Sequence, residues 1–313
     1  MRRKWATLAS VLALAPALVP ATTLYMSPSG NDKNDVKGRH ASGCGGHRGG
    51  RGHLPQPDGG LDILHRGAHH LLAARGAKTK PIFDGESTGL TWFTMNDSPD
   101  ADTPTNLHFI GLKVTNYWLG LDLGRNKAPG NSENEVRNML FERVGASYTQ
   151  NLPNAKGYAA LRMQLSSNNN ITGNRFHGVK NSGSADSDGD GVNEDLTGYI
   201  HAIYAAHNSS NNVISGNEFN QVTGDAVRTR DGSNNNLIEG NTFIAAGKYS
   251  PYSDWIADTG DECPSYGNRF VDNTVGDGYF GAFKDGYITH TYGPDDRCGT
   301  IPTRITEEGT ILS

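Results

Sequence analysis

Four segments of this chain repeat one pattern: Asn168–Phe176 (NNNITGNRF), Asn211–Phe219 (NNVISGNEF), Asn235–Phe243 (NNLIEGNTF) and Gly267–Val275 (GNRFVDNTV). In each, β-branched or apolar residues precede an asparagine and another apolar residue follows it. The asparagines Asn174, Asn217, Asn241 and Asn273 stand 43, 24 and 32 residues apart, which fits a coil of about 22 to 24 residues with insertions in some turns. One such coil cannot bury its own apolar face, so coils must stack and share a core. Each offers two or three short alternating strands, as around Val213, Ile214 and Phe219, joined by Asn, Ser and Gly that tolerate left-handed backbone. Stacking sets like residues above one another. The repeated asparagines therefore read as an inward ladder that caps backbone groups at the turns.

Weaker coils precede these at Leu107–Val114 (LHFIGLKV) and Val136–Val144 (VRNMLFERV). Leu24–Asp32 (LYMSPSGND) reads as a strand running into a turn, and Pro81–Gly85 (PIFDG) as a strand of an early coil. With 40 glycines and 14 prolines in 313 residues, a helical protein is disfavoured. The expectation is an all-β solenoid of about seven or eight coils.

The Asn-punctuated coils and the YMSPSGND opening resemble the pectate-lyase-like superfamily of secreted right-handed parallel β-helix proteins, which includes polysaccharide lyases and glycoside hydrolases. The resemblance covers most of residues 22–32 and 80–280. It implies a right-handed parallel β-helix, forming a single domain over residues 22–313, and an activity on polysaccharide. One fold hosts many chemistries, so the reaction has to be read from the site.

The first residues read as a secretory signal: Arg2, Arg3 and Lys4, an apolar run from Trp5 to Val19, then Ala21, after which cleavage is expected. That run is shorter than the ~20 residues a spanning helix needs, so export without anchoring is expected, to a monomer outside the cell. Export makes a disulfide admissible, with Cys263 and Cys298 the pair and Cys44 left over. Three cysteines without CxxC spacing give no zinc signature, and a net charge of -5 argues against a nucleic-acid partner. No nucleotide-binding loop, serine-triad motif or organic-cofactor signature is found. Residues 40–70 depart from the coil pattern: Gly43–His53 is nearly free of apolar residues, and six of the eleven histidines fall between His40 and His70. A metal-binding tract, a disordered insert and a shifted reading frame are the readings open there.

The chemistry-bearing residues cluster where three coils are aligned on their Ser/Asn turns. Leu161–Gln164, Ile203–Ala206 and Val227–Arg230 then stack. With Leu161, Ile203 and Val227 inward, alternation puts Arg162, Tyr204 and Arg228 in one outward column and Gln164, Ala206 and Arg230 in the next. His201 and Asp225 sit just before these strands, His207 and Asp231 just after; the alignment needs a one-residue slip at Arg162.

Arg, Tyr and His on one sheet face suit elimination at a uronic acid. A cation must neutralise the carboxylate, a base must take the C5 proton and an acid must protonate the departing O4. Arg228 and Arg230 suit the first task, Tyr204 or His201 the second, and Tyr204 or His207 the third. Arg162, Gln164, Asp225 and Asp231, with Lys248, Tyr252, Asp254 and Trp255 from KYSPYSDW, are the expected substrate contacts. Outward charges that merely solvate a sheet are the plain counter-reading. A glycosidase using two of Asp225, Asp231 and Asp254 is the rival chemistry, and a non-catalytic carbohydrate-binding β-helix the rival class.

Between two coils, Asp186, Asp188 and Asp190 alternate ahead of Gly191, as at the start of an EF-hand-type calcium loop. Val192 and Asp195 complete the expected ligand set for Ca2+, although the usual position-twelve Glu is replaced by Thr197. The overall expectation is a secreted polysaccharide lyase acting on an acidic, uronate-containing polymer.

Overall fold

A computed structural model describes residues 22–26, 70–74, 80–94, 106–124, 132–150, 156–186, 189–257, 262–290, 298–300 and 303–313. The expected signal segment, most of residues 40–70 and Asp188 lie outside the described residues.

Among the described residues the strands fall into three long sheets of nine, eight and seven strands and one two-stranded pair. The chain visits the long sheets in rotation. Asn170–Thr172 enters the nine-stranded sheet, Arg175–Val179 the eight-stranded sheet and His201–Ala206 the seven-stranded sheet. Val213–Ser215, Glu218–Val222 and Val227–Arg230 then repeat the circuit. Every pairing within these sheets among those strands is parallel and in register, as in Ile171↔Ile214, Phe176↔Phe219 and Ile203↔Val227. This all-β, parallel architecture is consistent with a β-helix or solenoid. The three long sheets hold nine, eight and seven strands, where seven or eight coils were expected.

Like residues stack because the register repeats. Phe141, Phe176, Phe219 and Phe243 form a column with ring centroids 5.1, 5.2 and 4.8 Å apart. The expected asparagine ladder is present: Asn174, Asn217 and Asn241 each donate Nδ2 to the Oδ1 of the next member at 3.0 Å, ending on Asn273. Each side chain also accepts a backbone N–H from the preceding coil, as Asn217 Oδ1 does from Asn174 N at 2.9 Å. A second ladder, not foreseen, runs through Asn134, Asn169, Asn212, Asn236 and Asn268. Both satisfy buried polar groups at the corners that an apolar core would leave unpaired. Immediately ahead of the second ladder, Asn168, Asn211, Asn235 and Gly267 occupy one turn position with φ of 58°, 59°, 56° and 67°. Only Asn and Gly take that left-handed conformation cheaply, which explains the run of asparagines ahead of each strand.

One excursion leaves the regular coil. Ser184–Ala185 pairs antiparallel with Glu194–Asp195 and leads into a 3-10 turn at Leu196–Tyr199. Among the described residues no helix is long and apolar enough to cross a membrane.

Candidate functional site

The seven-stranded sheet carries the candidate site on its outer face. Its register sets Asp122, Arg162, Tyr204, Arg228 and Ser253 in one row across five strands. Arg162 pairs directly with Tyr204, so the slip in the sequence alignment is absorbed by the loops and not by the strand. Leu161, Ile203 and Val227 are buried in the core, which turns the row between them outward. Gln164 lies in register with Ala206, and Arg230 with Trp255.

Each arginine of this face has a protein carboxylate. Arg162 forks onto Asp122 through Nε at 2.9 Å and Nη2 at 2.6 Å. Arg228 donates Nη2 to Asp225 at 2.7 Å and Nε to Ser253 at 3.1 Å. Arg230 forks onto Glu262 at 2.7 and 2.6 Å and gives Nη1 to the Tyr204 hydroxyl at 3.1 Å. All three Arg230 nitrogens are therefore engaged, and it holds Tyr204 in position where the sequence suggested a clamp for substrate carboxylate. Glu262 and its fork raise the Arg230 pKa further above its ordinary value against the opposing effect of burial. Trp255 lies beneath both Arg228 and Arg230, with guanidinium carbons 5.7 and 4.9 Å from its ring centre. The Tyr204 ring is fixed in a small apolar patch with Leu119, Ala159, Ala206 and Trp118.

The two histidines differ. His201 is 3% exposed, donates Nδ1 to the Asp225 carbonyl at 2.7 Å and lies 5.2 Å from the Tyr204 ring. Burial first, and then the Arg228 charge, push its pKa down to about 3, so it is neutral at ordinary pH. His207 is more open, and its Nδ1 donates to Asp231 Oδ2 at 2.8 Å. That bond directs the other ring nitrogen away from the carboxylate, the orientation a proton-transferring histidine requires. Both residues have left-handed backbone, with φ of 51° at His207 and 49° at Asp231. His207 holds the Asp231 carboxyl below the usual range, against the opposing effect of burial.

Other sequence-predicted contacts lie elsewhere. Tyr252 and Asp254 are in register with Val227 and Thr229, on the inward side of the strand, and both are fully buried. Tyr252 meets Thr229 and stacks on Phe270, while Asp254 binds Thr229, Ser265 and Arg304. Asp225 is 1% exposed and spends its carboxylate on Arg228 and on the backbone N–H groups of Tyr249 and Ser250. Lys248 pairs with Asp195 at 3.0 Å. Sequence reasoning missed Asp122 and Glu262, the carboxylates that hold Arg162 and Arg230. Asp122 was legible in the alternation of Leu121-Asp122-Leu123, which matches Leu161-Arg162-Met163. Glu262 comes from a loop and had no periodic signal.

Two groups of ligating side chains occur among the described residues: His207, Asp231 and Glu262, and Asp186, Asp190 and Glu194. In the first, the carboxylates already serve His207 and Arg230. In the second, Asp186 accepts from Gly189 and Gly191, and Asp190 from Val192, the turn bonds that fold the expected calcium loop upon itself. Glu194 takes the place expected of Asp195, which instead caps the Leu196–Tyr199 turn through Thr197. The Val192 side chain is exposed, leaving only its backbone for an ion.

No family model and no curated protein matches the chain. The chemistry of the site is the guide to function.

Proposed function

We propose that the chain is a secreted polysaccharide lyase on a right-handed parallel β-helix, cleaving a uronate-containing polymer by β-elimination. The observation that carries this reading is the setting of the Tyr204 hydroxyl: Arg230 donates to it, and Arg162 and Arg228 flank Tyr204 in the register. Right-handedness follows from the resemblance and from the strong preference of parallel crossovers for that hand.

Arg162 and Arg228 each commit Nε and Nη2, and the Nη1 group of each has no hydrogen-bond partner among the described residues. Those groups receive the uronate carboxylate. His207, oriented by Asp231, takes the C5 proton on Nε2. The electron pair becomes the C4–C5 double bond, the C4–O4 bond breaks and Tyr204 gives its proton to O4. Arg230 then balances the phenolate so formed. Calcium at Asp186, Asp190 and Glu194 would brace the hairpin that leads into this face. Two of the three aspartates considered for hydrolysis, Asp225 and Asp254, are buried and fully engaged, which disfavours the glycosidase alternative.

The test is incubation with alginate, pectate, glucuronan and glycosaminoglycans in the presence of calcium. Growth of the near-ultraviolet absorbance of an unsaturated sugar on one polymer supports elimination. New reducing ends without that absorbance would replace it with hydrolysis, and neither would leave a carbohydrate-binding protein.

A further inference from the structure

Three tyrosines stand at the edge where the chain enters the seven-stranded sheet, and none has a part in the proposed chemistry. Tyr158 immediately precedes the strand Ala159–Gln164, Tyr199 lies two residues before His201–Ala206, and Tyr249 three residues before Tyr252–Trp255. They are 40%, 37% and 56% exposed, where most aromatic side chains described are buried or half-buried. Each carries a cation over its ring: Arg162 at 5.6 Å from Tyr158, Lys156 at 4.3 Å from Tyr199 and Lys248 at 5.2 Å from Tyr249. A single exposed aromatic ring is ordinary, but here three cation-backed rings recur along one sheet edge.

The loops that present the rings are held from below. The Tyr158 carbonyl accepts from His201 N at 2.9 Å. Asp195 caps the turn that carries Tyr199 and pairs with Lys248. Asp225, buried, accepts from the backbone of Tyr249 and Ser250. A ligand binding here therefore has little loop ordering to supply. The surface is also continuous with the candidate centre, because Arg162 covers Tyr158 and lies beside Tyr204 in the register.

We infer that Tyr158, Tyr199 and Tyr249 form a binding track for a uronate oligosaccharide laid along the stacking direction of the coils, across the strands. The inference rests on the lyase reading for the acidic character of the sugar. Ring faces stack on the apolar face of pyranoses, and the attendant cations meet carboxylates. Strand Ala159–Gln164 and strand Tyr252–Trp255 are separated by three strand-to-strand steps. At about 4.8 Å per step the track spans roughly 14 Å, enough for about three sugar rings.

The experiment measures binding of galacturonate, mannuronate, guluronate and glucuronate oligomers of increasing length by calorimetry, on the Tyr204→Phe protein so that ligand is not consumed. Affinity is expected to climb up to about the trisaccharide on one series and then level. Tyr158→Ala, Tyr199→Ala and Tyr249→Ala should each weaken it about ten-fold, with unchanged melting, while the corresponding Phe variants keep it. Equal binding by the Ala variants, or no binding of any oligomer by the intact track, overturns the inference. Undiminished cleavage by Tyr204→Phe overturns the catalytic reading and leaves the track standing.

Discussion

Arg230 donates Nη1 to the Tyr204 hydroxyl at 3.1 Å while the rest of its guanidinium is forked onto Glu262. The carboxylate aims the arginine, and the arginine aims the phenol. Glu262 is itself followed by Cys263, whose N–H reaches Asp231 at 3.3 Å, the partner of His207. Two consecutive residues thus brace both members of the proposed proton-transfer pair.

Tyr204→Phe removes one hydroxyl from a ring that stays packed. Cleavage should fall at least about 100-fold, the usual contribution of a positioned acid, while stability changes by about 1 kcal/mol. Turnover on the matched polymer and a urea melt read the two effects apart. A variant with near-normal turnover would remove Tyr204 from the mechanism.

Cys263 and Cys298 are bridged, with Cα atoms 5.6 Å apart and a sequence separation of 35. Replacing both with Ser should cost about 3 to 4 kcal/mol through the freed unfolded chain. Because the bridge anchors Glu262 and Cys263, turnover should drop more than melting alone explains, and Glu262→Gln with the bridge intact should lower turnover in the same direction. Full activity in folded Glu262→Gln would show that the Arg230 fork is dispensable.

His201 is held neutral down to about pH 3, whereas in the unfolded chain it takes a proton near its ordinary 6.5. Between those values the unfolded state binds the extra proton, so stability must fall as pH falls through that window. Asp225, held below its ordinary 3.8 by Arg228 against burial, adds a further loss as pH falls through and below that value. Denaturation midpoints taken across this range should slope downward toward acid, and His201→Gln should flatten the upper part of the slope. An unchanged slope in that variant would assign it to other groups.

Asn217 gives Nδ2 to Asn241 and to the Ile171 carbonyl, and its Oδ1 accepts from both nitrogens of Asn174. Asn217→Ala strands these buried groups, at a cost of about 3 kcal/mol. Phe219→Ala, two residues on in the ring column, should cost about 3 to 5 kcal/mol. Chemical denaturation checks both, and the loss at Asn217 should not be recovered by Asn217→Leu, which fills space without making bonds.

Calcium should raise the melting temperature by binding the folded hairpin at Asp186, Asp190 and Glu194, and a chelator should reverse the shift. Asp186→Ala with Asp190→Ala should abolish it. A shift that survives in the double variant would locate the ion elsewhere.

The repeat alone determined the parallel all-β stack, the asparagine ladder and the outward row of Arg162, Tyr204 and Arg228. Those features recur at a fixed spacing, and alternation along a strand decides its faces. Tertiary structure decided what the row can do. Three arginines that look free in sequence are each paired, with Asp122 from a neighbouring coil, Asp225 three residues back and Glu262 from a loop 32 residues on. Tyr252 and Asp254 follow KYSP, a stretch that looks like surface, yet the register with Val227 and Thr229 turns them inward. The exposed tyrosines at the sheet edge carry no repeat of their own, since Tyr158, Tyr199 and Tyr249 sit at different offsets from their strands. Partners supplied by loops and neighbouring coils are long-range relationships. Periodicity encodes which face a residue takes, and only the folded chain fixes which charge it meets there.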